Sequence, residues 1–307
     1  RVLFRSGSHT PLWLKIQKEE IQMRNLKRAL SLALAAIMLV GMMVVSASAA
    51  SYNNLTDKDE IVNKDAVSML VSLGIIEGKP DGSYGPTENV DRAQMAKMLS
   101  VIMNKGVDNS ALYQSVNSGL VDVNTNWAKG HINYCYTTGI IAGRGNGKFD
   151  PSATVTALEA AKMLLVAVGY DPAIEGFEGA DWAINVSVRA DEQGIFEGFT
   201  KDLSAPLNRD DAALLIYNAL DVEMIQSYTT NNYPIAYSDH RTILADKYGV
   251  IKVQGVVVAN EWASLASDDG DAALKEGKTT IYNGEGIFST TGNTTVSKED
   301  ASLKTQT

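Results

Sequence analysis

Arg92 and Arg209 each stand one residue after a helix-start signal, Asp91 in one case and Asn208 in the other. A side chain placed there lies beside unpaired backbone amides, where the helix dipole favours an anion. A guanidinium in that position can fork onto a carboxylate with a directionality that lysine lacks. The plainer alternative is a pair of solvated first-turn arginines. Spacing alone leaves both readings open. A third helix start, Thr156, is followed by Ala157 instead.

Other chemistry is thin. Gly143-x-Gly145-x-Gly147 resembles a phosphate cradle only in its glycines, since no Lys-Ser/Thr follows and no strand-helix-strand context surrounds it. Asp81-Gly82 and Asn146-Gly147 lack the regular oxygen ligands and closing glutamate of a calcium loop, so turn geometry explains them. His131 and His240 keep no Cys, Ser or carboxylate at a motif spacing, and no zinc-type cluster appears. The sequence therefore predicts no catalytic residues, no metal and no cofactor. Cys135, the only cysteine, falls on the apolar face of a helical pattern and reads as packing.

The elements that position the arginines recur three times. Gly74-Ile75-Ile76-Glu77-Gly78 with Pro86, Gly139-Ile140-Ile141-Ala142-Gly143 with Pro151, and Gly194-Ile195-Phe196-Glu197-Gly198 with Pro206 keep one spacing, at intervals of 65 and 55 residues. Such repetition marks small units that bury their faces against one another. Each first glycine ends a helical pattern as a left-handed C′ residue. Trp127, Trp182 and, in the first copy, Val62 lie twelve residues before it and read as packing anchors. Turn-rich loops follow in the first two copies, around Asp81-Gly82 and Asn146-Gly147, whereas the third has Lys201-Asp202-Leu203-Ser204.

A second helix then begins with Asp91-Arg92-Ala93-Gln94, Thr156-Ala157-Leu158-Glu159 or Asn208-Arg209-Asp210-Asp211. The first two meet the capping-box pattern, and Asp211 is a shortened stand-in. Apolar stripes such as Met95, Met98, Leu99 and Ile102 follow, and one stripe per unit cannot be buried alone. Beyond Asp221 the frame stops. Ile251, Val253, residues 256–258 and residues 279–282 read as strand.

Composition sets the address. Of 307 residues with a formal net charge of −9, the first 49 carry seven Lys and Arg against two Glu, which leaves the remainder acidic. An acidic body without a basic stripe argues against nucleic acid. Met23 to Arg28 is basic, Ala29 to Val45 almost wholly apolar, and Ala47-Ser48-Ala49 a small-x-small exit, the parts of a secretory signal peptide. The expected organisation is residues 1–22 upstream or non-native, 23–49 signal peptide, repeats at 53–105, 118–170 and 175–222, then 223–307 as linker and β-rich segment. Ending without a closing unit, the chain reads as a piece of something longer.

These residues resemble the S-layer homology repeat, usually found in threes on bacterial cell-surface proteins. Its pattern runs roughly Phe-x-Asp, Trp, Gly-Ile-x-x-Gly, Asp-Gly-x-Phe-x-Pro and Thr-Arg-Ala-Glu. Leu120-Val121-Asp122, Trp127, Gly139 to Gly143, Asn146 to Pro151 and Val155-Thr156 follow it closely. The resemblance covers about residues 53–222. It implies a mainly α, pseudo-threefold domain of helix-loop-helix repeats that binds a secondary cell-wall polysaccharide, commonly one carrying pyruvate ketals, in grooves between repeats. Carried onto this sequence, the implied glycan-binding residues are Arg92, Arg209, Asp81, Gly82, Gly147 and Trp127, with Ala157 a departure. The function it implies is noncatalytic anchoring at the cell wall, without membrane insertion after signal cleavage. The alternatives are a surface enzyme, such as a glycan hydrolase, whose catalytic domain lies beyond this chain, and a lattice subunit that self-associates in a surface layer.

Overall fold

The computed structural model describes residues 51–252, 256–260, 274, 278–282 and 287–289. The expectations for residues 1–49 lie outside the described residues. The repeats supply two α-helices each, α1 Lys64–Ser72 and α2 Arg92–Met103, α4 Lys129–Thr137 and α5 Ala157–Val168, α6 Trp182–Glu192 and α7 Arg209–Ala219, with the short α3 Ser110–Tyr113 between the first two repeats. After them come a hairpin of β1 Ile225–Tyr228 and β2 Pro234–Ala236, helix α8 Ile243–Tyr248, and an antiparallel sheet of β3 Val256–Asn260, β4 Thr279–Tyr282 and β5 Ile287–Ser289. The protein is mainly α with a β-containing end.

Local chemistry sets the helix ends. Asp91 and Thr156 each cap their helix reciprocally, the side chain accepting the N3 amide while Gln94 or Glu159 reaches back to the cap amide. Asn208 accepts from the Asp211 amide, but no bond returns, because the aspartate is one methylene shorter. Gly74, Gly139 and Gly194 take φ of 70°, 79° and 70° just past α1, α4 and α6, as the left-handed stop requires.

The first helix of each repeat packs on the second helix of the repeat before it: α4 on α2, α6 on α5, and α1 on α7, which closes the ring. Three extended segments meet at its centre through single β-bridges. The Val90 amide donates to the Leu207 carbonyl at 2.8 Å, Leu207 to Val155 at 2.8 Å, and Val155 to Val90 at 2.9 Å. Each backbone thus satisfies the next, a closed solution to the edge problem. One core runs through all three repeats, and Tyr84 and Phe149 fold back into it from their loops.

This ring corrects the proline frame. The amides of Ala93 and Asp210 bond the carbonyls of Pro151 and Pro86, and the matching bond from Leu158 goes to Leu203. Leu203 therefore holds the third proline's place, and Pro206 lies three residues further on. The third loop is shorter by those three residues, so equal spacing from Gly194 is coincidental. Two packing anchors are corrected as well. Trp127 is 57% exposed and Val62 is 82% exposed, because each lies ahead of its helix rather than on its buried face. Trp182 does pack partly against the core.

Residues 243–248 fold back on the ring. Ile243 and Leu244 are buried, the Leu244 amide bonds the Leu220 carbonyl, and the Tyr248 hydroxyl donates to Ile102 of α2. The expected strands at 256–258 and 279–282 are present, whereas α8 and the β1–β2 hairpin were not foreseen. Thr242, which accepts the Ala245 amide, and left-handed Gly249 are the local signal that marks α8.

Cys135 is buried with its thiol against the Ala96 carbonyl, and burial pushes its pKa up. On the same helix, His131 Nδ1 lies 2.6 Å from Ser100 Oγ, and its Nε2 lies 3.6 Å from Asp108. Sequence spacing concealed this trio. Ser100 and His131 are both buried, so the hydroxyl has no route to a substrate and the trio serves packing. Burial lowers the His131 pKa, Asp108 opposes that shift and Lys97 adds to it. A depressed folded-state pKa means stability that is present above the unfolded value of about 6.5 and lost as pH falls below it. The thermal midpoint should drop as pH falls below about 6.5, and His131→Gln should flatten that part of the profile. An unchanged profile in the variant would assign the acid sensitivity elsewhere.

Candidate binding grooves

Each arginine reaches out of its own repeat. Arg209, opening α7 in the third repeat, lies over the Tyr84 ring at 4.7 Å, with Nε 2.8 Å from the Tyr84 carbonyl and Nη2 3.2 Å from that of Glu77. Tyr84 returns a bond from its hydroxyl to the Arg209 carbonyl. Arg92, opening α2 in the first repeat, does the same to the second loop. It lies 4.3 Å over Phe149, with Nε bonded to the Phe149 carbonyl at 2.9 Å and Nη2 to Ala142 at 2.7 Å. The ring of repeats makes this reach possible, since every second helix starts beside a neighbour's loop.

The two arginines differ in access. Arg209 is half-buried and borders a cavity of about 200 Å³, whose lining includes Gly78, Lys79, Gln94, Lys97 and Trp127. Lys97 pairs with Glu77 at 3.4 Å, and Lys79 pairs with Glu88. The cavity thus gathers three cations and an exposed indole at one mouth. Arg92 is only 4% exposed. Burial, with Arg144 nearby, lowers its pKa to about 10. Arg144 itself bonds Glu159 at 2.6 Å, and Lys162 lies 5.8 Å from the Trp182 ring. These side chains are the counterparts of Arg209, Lys79, Lys97 and Trp127, but here the arginine is closed in.

The sequence-derived residues divide accordingly. Arg209 and Trp127 come together in the cavity, while Arg92 belongs to the second groove. Asp81, Gly82 and Gly147 sit at loop tips, outside the cavity lining. Asp81 accepts from the amide and hydroxyl of Ser83, Gly82 and Gly147 take φ of 83° and 68°, and their carbonyls accept from Thr56 and Val121. They build the turns.

Asp57 was missed by sequence reasoning. Partial burial would raise its pKa, but the Tyr84 and Gly85 amides, each 2.7 Å away, outweigh burial and hold it low. Asp122 holds the Phe149 and Asp150 amides in the same way. These carboxylates pin the loops on which the arginines rest. Alignment of Leu55-Thr56-Asp57 with Leu120-Val121-Asp122 is the signal that finds the first from the second. Among the described residues no cluster of His, Cys, Asp and Glu could hold a metal ion, and no helix is long and apolar enough to cross a membrane.

Fold and site define a class: a ring of helical repeats with a cationic, aromatic cavity between them. The S-layer homology domain model matches residues 54–96 and 121–161. Those residues are S-layer homology repeats, and the third unit, with its shortened loop, repeats their helical arrangement. A cell surface protein of Thermoanaerobacter kivui is 28% identical over 270 residues, covering 87% of this chain and 32% of that protein. The middle cell wall protein of Brevibacillus brevis is 27% identical over 241 residues, covering 78% and 22%. An amylopullulanase of Thermoanaerobacterium thermosulfurigenes is 31% identical over 172 residues, covering 52% and 9%. The chain spans about a third or less of each of these relatives. Its repeats place it with cell-surface, cell-wall-associated proteins.

Proposed function

We propose that this chain anchors an exported protein to the bacterial cell wall by binding an anionic secondary wall polysaccharide without catalysis. The cavity carrying Arg209, Lys97, Lys79 and Trp127 is the observation behind this reading. A ring carboxylate such as a pyruvate ketal would meet the guanidinium, and the pyranose face would lie on the indole. The chain is acidic, with a net charge of −9 over its 307 residues, so attraction is local and retention should weaken with salt. The cell-surface and cell-wall names of the relatives support the address.

The test is retention of the full chain on purified wall sacculi before and after removal of the secondary polymer. Retention should fall at least tenfold on stripped sacculi; equal retention on both would sink the anchoring hypothesis. An enzyme using this region as its anchor is the second reading, and the amylopullulanase relative favours it. In that case the longer open reading frame would encode a catalytic domain outside these 307 residues.

A further inference from the structure

The loop tips of the first two repeats carry one kind of step with opposite bonding. In the first, the Gly82 amide donates to the Lys79 carbonyl at 2.9 Å, and the Asp81 carboxylate accepts from the Ser83 amide and hydroxyl at 2.9 and 2.7 Å. Both groups are held. In the second, residues 146 and 147 form the tip of a minimal hairpin, closed by the Lys148 amide on the Gly145 carbonyl at 3.0 Å. Their φ values of 52° and 68° are those of the type I′ turn that Asn-Gly favours. Both residues are exposed, and among the described residues neither the Asn146 side chain nor the Gly147 amide has a hydrogen-bond partner.

A free asparagine side chain next to a free backbone nitrogen is a pair of reactants. The Gly147 nitrogen, losing its proton to hydroxide, attacks Asn146 Cγ. The new N–Cγ bond closes a five-membered succinimide, and the side-chain nitrogen takes a proton from water and leaves as ammonia, which restores the hydroxide. Water then opens either ring carbonyl, giving aspartate or isoaspartate at position 146. The tip must rotate to bring nitrogen and Cγ together, and glycine at 147 permits that rotation without a Cβ to shield the nitrogen. Other asparagines lack these conditions. Asn117 and Asn126 give their side-chain oxygens to the Gly119 and Ala128 amides and are followed by Ser118 and Trp127. Buried Asn133 bonds the Tyr113 and Val116 carbonyls.

We infer that Asn146 is a site of spontaneous deamidation in the folded protein, and that the equivalent Asp81-Gly82 step is protected from the same ring closure. Each hydrogen bond that must break before attack slows the step roughly two- to tenfold, so residue 146 should convert faster than residue 81 by at least that factor. The aspartate product gives the second tip the carboxylate that the first already has. The isoaspartate product adds one atom to the backbone of a two-residue turn. Asp122 still holds the Phe149 and Asp150 amides, so the fold should survive the change. None of this depends on what the cavity binds.

The test is incubation of the full chain in mildly alkaline buffer, followed by cleavage after lysine, mass mapping with fragmentation, and labelling with an isoaspartyl methyltransferase. Residue 146 should lose its amide and yield both products, more slowly in mildly acidic buffer. Asn146→Gln should show no change at this position, because its longer side chain closes a ring far less readily. Asn283-Gly284, a second such step, lies outside the described residues and falls in a separate peptide. The same chain in urea gives the rate without the fold. If Asn146 stayed intact in the folded chain while converting in urea, the turn would be protective and the inference overturned. Isoaspartate appearing at residue 81 as fast as at residue 146 would overturn it as well.

Discussion

Arg92→Ala is expected to destabilise the protein by about 2–4 kcal/mol, whereas Arg209→Ala should cost roughly 1 kcal/mol. The two occupy equivalent places and make equivalent bonds, so the contrast tests burial alone. Arg92 is 4% exposed, and its removal leaves the Phe149 and Ala142 carbonyls without their donor and a void beside the Phe149 ring. Around Arg209, water can enter from the cavity and satisfy Tyr84 and Glu77. Arg92→Lys should recover little, because an ammonium cannot fork to two carbonyls and stack on the ring together. Thermal unfolding checks this; at about 2–4 °C per kcal/mol for a unit of this size, Arg92→Ala should melt roughly 5–15 °C lower. Equal shifts in the two variants would show that the second groove is as open to water as the first.

What the sequence disclosed follows from the range of the interactions involved. The capping boxes at Asp91 and Thr156 close within four residues, and the glycine stops after α1, α4 and α6 depend on one backbone angle, so both are written locally. Register across the third loop is not. Pro206 keeps the count from Gly194, but it bridges Thr156 at the place that Thr154 holds against Asp91, and the bond that Pro86 and Pro151 accept goes to Leu203 instead, which exposes the deletion. Trp127 shows the same limit. Its position ahead of α4 is regular, but whether it faces core or solvent depends on α2, which belongs to another repeat.

The grooves were least legible of all. Compared copy by copy, the second repeat lacks an arginine, the third lacks a loop and the first lacks a tryptophan, which suggests three partly damaged sites. Helix-on-neighbour packing reassigns these losses, because position 157 faces the third loop and not its own. The non-local fact required is which repeat follows which around the ring. No periodicity within a single copy contains it.

Gly130→Ala is expected to cost about 3–5 kcal/mol, against the ordinary rule that alanine in a helix interior gains about 1 kcal/mol over glycine. Gly130 lies in the first turn of α4 in ordinary helical geometry, so backbone conformation offers no objection to a side chain. Space does. A Cβ there would sit 2.1 Å from the Ser110 carbonyl oxygen and 2.7 Å from its carbon, both main-chain atoms that no rotamer change can move. Relief requires shifting α3 as a unit away from α4. That shift would pull the Tyr113 and Val116 carbonyls from the buried Asn133 amide, which bonds both at 2.9 Å. Propensity therefore loses to sterics coupled to a buried polar network. Gly194→Ala is the control: its Cβ meets nothing within 4 Å, and only the strain of φ +70° applies, about 1–2 kcal/mol. Chemical denaturation of both variants separates the two causes. Because Trp127 precedes α4 by two residues, a displaced α4 should also disturb the first groove, so Gly130→Ala should lose retention on sacculi while Gly194→Ala keeps it. An unchanged denaturation midpoint in Gly130→Ala would mean that α3 yields freely and does not brace the wall of that groove.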